Sequence, residues 1–139
     1  MNLNTRLVLR SLVVTPFRLL LTYAGIILLL HLDVSPLPAW TSDALAFLLQ
    51  FAAMFFATWW VMHRRAASWK QALLVFVILV GFGVLLEIGL AVLLEGPSAD
   101  LLTQLVSIRS FVLYLVYAIG VTCGYLQAER HSATPAQSS

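Results

Sequence analysis

The residues whose types and spacing could do chemistry in this chain are Glu87 and Arg109, one acidic and one basic, each inside a long apolar run. They lie at equal distances from Ser98, since 98 − 87 = 109 − 98 = 11, and Ser98 is at the centre of the joint between the two runs. If both runs are membrane-crossing helices joined as a hairpin, the charges face each other at one depth, where an unpaired charge is expensive. The spacing therefore predicts an intramembrane salt bridge between Glu87 and Arg109. Such a bridge pins the hairpin in register. Alternatively, Glu87 is a proton or cation site and Arg109 tunes it or binds an anionic substrate.

The elements that must position these residues follow from composition. Of 139 residues, 61% are hydrophobic and only 10% charged, and the mean hydropathy is +0.95, far from the soluble norm. A spanning helix needs about 20 predominantly apolar residues, and the chain holds four such stretches, at about 16–32, 40–62, 71–94 and 101–126. The expected fold is all-α: a polytopic membrane protein with four transmembrane helices in an up-down bundle. Residues 1–15 form a cytoplasmic or interfacial segment, 16–126 the transmembrane domain and 127–139 a disordered cytoplasmic tail. Thr15 before Pro16 suits a helix start, although Leu3 to Val14 could also form a short interfacial helix leading into the first span. The apolar block after Arg6, Arg10 and Arg18 resembles a signal sequence, but no convincing small-x-small site follows it, so an uncleaved first span is expected.

Charge sets the topology. Arg6, Arg10 and Arg18 precede or open the first span, Arg64, Arg65 and Lys70 lie between spans two and three, and Arg130 follows span four. The opposite joints carry Asp33, Glu95 and Asp100 with Pro36, Pro38 and Pro97, and no Lys or Arg. The positive-inside rule then puts both termini in the cytoplasm. Arginine outnumbers lysine seven to one, which fits a GC-rich bacterial genome and hence an inner membrane. Trp40, Trp59, Trp60, Trp69 and Tyr125 fall near interfaces as anchors.

Inside lipid, apolar positions do not report which face of a helix is inward, so small and polar residues must. Span two shows one seam of Asp43, Ala46, Gln50, Ala53 and Ala57. Span four shows a stripe of Thr103, Ser107, Ser110, Tyr114 and Tyr117, with Gly120 and Gly124 as a GxxxG beside it. Span three places Gly83 and Ala91 one turn either side of Glu87. Span one offers Thr22 and Gly25 and is expected to pack peripherally. Asp43, Gln50, Ser107, Ser110, Tyr114 and Tyr117 are the candidates to line a polar path, and Gly83, Ala91, Ala53, Ala57, Gly120 and Gly124 those for helix packing.

No nucleophile with a base, glycine-rich phosphate loop or ligand cluster emerges. The three histidines fall in loops or the tail, His31 with Asp33 falls short of a metal site, and Cys123 reads as a packing residue. No catalytic residue, metal, cofactor or nucleic-acid partner is therefore expected. The partners expected are the lipid bilayer and a homo-oligomer or larger membrane complex. The favoured role is a non-catalytic structural or accessory membrane subunit. The alternative is a small oligomeric transporter or channel using Glu87 and Arg109 as its site.

Overall fold

A computed structural model describes residues 2–32, 37–63, 68–96, 100, 103 and 107–133. Ser98, Asp33, Pro36, Pro97, Arg64, Arg65, most of the first turns expected for span four and tail residues 134–139 lie outside the described residues. Four long helices are described: α1 (Leu3–His31), α2 (Trp40–Met62), α3 (Trp69–Glu95) and α4 (Ile108–Ala133). Each is long and apolar enough to cross a membrane, so the chain is an all-α membrane protein.

Local chemistry explains several helix ends. Ser68 opens α3 with a reciprocal capping box: its hydroxyl accepts the Gln71 amide and its own amide donates to the Gln71 side chain. Two N–H groups that a helix start leaves unpaired are thereby satisfied. Ser107 does similar work before α4, accepting the Ser110 amide at 3.3 Å. Gly96 ends α3 at φ 80°, a conformation that costs glycine little.

The helices meet in two in-step pairs. Asp43 bonds Arg109 and Gln50 bonds Tyr117 at sequence separations of 66 and 67 residues, and Gly120 and Gly124 lie against Met54 and Thr58 at the same spacing. Between α1 and α3, Gln71 donates to Asn4 across 67 residues, and Gly83 faces Thr15 and Arg18. The α2–α4 contact is the closest in the bundle: a Cβ on Gly120 would stand 3.1 Å from the Phe51 carbonyl oxygen, and one on Gly124 2.7 Å from that of Phe55. Backbones approach this far only where side chains are absent.

One apolar core fills the part of the bundle holding Leu7, Met54, Val61, Met62, Val75, Leu79, Val121 and Tyr125. Toward the other ends of α3 and α4 the packing opens. Leu79 is fully buried, while Leu90, three turns further along the same face of α3, is 50% exposed and Leu93 is 84% exposed.

Two elements differ from the expectation. The first helix begins at Leu3 and runs unbroken through Pro16, joining the segment read as interfacial to the span. Proline is tolerated there because neighbouring helices can satisfy the freed carbonyl. Rather than packing peripherally, α1 lies between α2 and α3 and buries Leu7, Ser11, Thr15, Arg18, Leu19 and Thr22. Finally, α4 continues to Ala133, into the sequence read as tail, and packs mainly on α2 and only lightly on α3, its neighbour in sequence.

Candidate functional site

Arg18 is the charged residue that the fold hides best. It occupies the middle of the 29-residue α1 and is only 4% exposed. On α1 it belongs to a line of Ser11, Thr15, Arg18 and Thr22, at steps of 4, 3 and 4, which is one face of a helix. Thr15 returns its hydroxyl to the Ser11 carbonyl at 2.7 Å, so that residue is satisfied within its own helix.

Three neighbours make room for the guanidinium. Gly83, near the midpoint of α3, leaves the space that Nη2 fills, since a Cβ on that residue would stand 2.5 Å away. Any other residue at 83 would force the guanidinium to shift. From α4, Tyr117 offers its ring face, with Cζ of Arg18 5.2 Å from the ring centroid, a cation–π distance. The Tyr117 hydroxyl donates to Gln50 Oε1 of α2 at 3.1 Å. Glu87, one turn beyond Gly83 and half-buried, lies within the field of Arg18, with no ion pair formed between the two. Nε and Nη1 of Arg18 are buried without a hydrogen-bond partner among the described residues. Residues of α1, α3 and α4 thus meet at one guanidinium, and Gln50 of α2 joins them through the Tyr117 hydroxyl.

Arg109 is placed elsewhere. It lies in the first turn of α4 and bonds Asp43, in the first turn of α2, at 3.1 Å, with the two side chains 76% and 61% exposed. The ion pair of Arg109 is therefore with Asp43 and not with Glu87. Equal spacing about Ser98 assumed a fourth span beginning near residue 101. With α4 beginning at Ile108, Arg109 is at its end, whereas Glu87 lies eight residues, or about 12 Å, inside the end of α3.

The remaining candidates divide by helix. Asp43, Gln50, Arg109 and Ser110 line a cleft of about 190 Å³ between α1, α2 and α4, and Ser107 and Ser110 bond each other at 3.1 Å. Tyr117 is buried at the foot of that cleft and stacks obliquely on half-buried Tyr114, with centroids 6.4 Å apart. Ala53 and Ala57 are buried on α2, and Ala91 is partly exposed on α3. Below Tyr117 the core is closed by apolar side chains.

The sequence conceals Arg18 as a site residue, because a helix start at Pro16 groups it with Arg6 and Arg10 as flanking charge. The signal that could have found it was the Ser11–Thr15–Arg18–Thr22 line, visible only once the helix is carried back through Pro16. No protein-family model, curated protein or solved structure matches this chain.

Proposed function

We propose that this chain is a small multi-pass protein of a bacterial inner membrane with a non-catalytic role, a structural or accessory subunit that associates with other spans through its helix faces. In this reading the helices alternate in direction as an up-down bundle with both termini in the cytoplasm. The in-step contacts of α1 with α3 and α2 with α4 support the alternation, and the placement of seven of the eight basic residues supports the orientation.

The observation that carries the role is the unpacked face of α3. Leu73, Val77 and Leu85 are more than half exposed, and Gly81 among them has no side chain or neighbouring helix within 4 Å of where a Cβ would be. Glycine weakens a helix by about 1 kcal/mol relative to alanine, and among the described residues no packing offsets it. In lipid, helices associate by close backbone approach at small residues. A second helix laid across Gly81 would account for the residue. Purification in mild detergent with native mass measurement tests this. Assembly above the 15.4 kDa of one chain, reduced by Gly81→Leu, supports the reading; a stable monomer unaffected by that substitution sinks it.

The polar cleft favours a second reading, a small oligomeric transporter. Asp43, Arg109, Ser110 and Gln50 lead toward Tyr117 and the buried Arg18, and intramembrane ionisable groups often mark transport pathways. A Glu87→Gln protein that folds normally but loses a proton-linked flux would replace the subunit reading with this one.

A further inference from the structure

Where the packing opens, α1 and α3 enclose a groove of about 440 Å³ whose walls include Leu19, Leu20 and Tyr23 on one side and Leu86, Glu87 and Leu90 on the other. Its make-up is that of a small-molecule site: a mainly apolar concavity of a few hundred Å³ with very few polar groups to orient the occupant. The polar groups are the Glu87 carboxylate and the Tyr23 hydroxyl, which lie within electrostatic reach of each other and of Arg18. Glu87 is about 12 Å inside the end of α3, too deep for a phospholipid headgroup at the interface. Charge narrows the occupant further. A cation would meet the field of Arg18, and an anion would meet the carboxylate. Among the described residues no donor, the Tyr23 hydroxyl included, hydrogen-bonds the Glu87 carboxylate, so a neutral hydroxyl on the occupant is what would complete the wall.

We propose that this groove binds an uncharged lipid with a hydroxyl head, the hydroxyl donating to the Glu87 carboxylate while the apolar body lies on Leu19, Leu20, Leu86 and Leu90. The site goes beyond the subunit reading and stands or falls independently of Gly81. The test uses the full chain in phosphatidylcholine nanodiscs, with hexadecanol carrying a mid-chain diazirine as photolabel and mass spectrometry to map the adducts. Labelling is expected within residues 16–23 and 85–93. Plain hexadecanol should displace it, and hexadecyl methyl ether, hexadecylamine and palmitate should not. The label should fall about tenfold in Glu87→Leu, the loss expected for a hydrogen bond to a charged group, and also in Leu90→Trp, which fills the groove from a half-exposed position. Adducts spread over every lipid-facing helix, or displacement by the ether as strong as by the alcohol, would overturn the site. Stronger displacement by the amine or the acid would overturn the neutral head. If Glu87→Leu fails to fold, the wild-type displacement series and Leu90→Trp still decide.

Discussion

A guanidinium removed from water is stable only when charge and hydrogen bonds around it compensate the lost hydration. Arg18 meets this requirement only in part, through a ring face, a glycine gap and the field of a carboxylate, while its Nε and Nη1 have no hydrogen-bond partner among the described residues, so its contribution is conditional on those three neighbours. Arg18→Leu is expected to destabilise the chain by about 1–3 kcal/mol by leaving the half-buried Glu87 without the field of Arg18, and the double change Arg18→Leu with Glu87→Leu should recover most of that loss. Unfolding by sodium dodecyl sulfate, followed by helicity, measures both. Arg109→Gln should cost less than about 1 kcal/mol, because its pair with Asp43 is largely exposed. A cycle between Glu87 and Arg109 should show coupling within about 0.5 kcal/mol of zero. Strong coupling there would restore the hairpin bridge that the spacing around Ser98 suggests.

Among the elements, glycines on two helices act in opposite ways. On α4, Gly120 and Gly124 let the backbone of α2 approach, and the Tyr117–Gln50 and Arg109–Asp43 bonds follow at regular intervals along the same contact. Gly124→Leu is expected to push α2 and α4 apart at a cost of at least about 1–3 kcal/mol, because Phe55 oxygen and Thr58 Cβ already occupy the required space. Gly81→Ala, on the open face of α3, should be neutral or stabilising by up to about 1 kcal/mol. The same detergent-unfolding assay compares them, and equal losses at the two sites would contradict the helix pairing described here. The GxxxG and the alanine seam were legible as helix-contact signals. Their partners were not, because a short joint after α3 suggests an α3–α4 hairpin while the closest fit for the α4 backbone lies on α2.

For the whole molecule, packing is uneven: a closed apolar core where Leu7, Met62, Val75 and Tyr125 gather, and an open region holding the Glu87 groove and the Asp43 cleft. Such a bundle holds its shape mainly at one end, so binding events are expected at the other. With the orientation proposed above, reporter fusions at both termini should give cytoplasmic signals and a reporter inserted near Glu95 the opposite one. A terminus reporting on the far side would overturn the alternating arrangement.

Sequence by itself determined that four long apolar helices exist, because about 20 apolar residues in succession satisfy a bilayer and few other environments. It also marked the residue types able to do chemistry. Only the tertiary structure decided which of them meet. Lipid is as apolar as leucine, so hydrophobic periodicity carries no information about inward faces. The register of one helix on another is therefore set by close approach at Gly83, Gly120 and Gly124 and by compensation of buried charge. That is why Arg18, which reads as flanking charge along the chain, becomes the buried centre of the bundle, while Arg109 leaves Glu87 for Asp43.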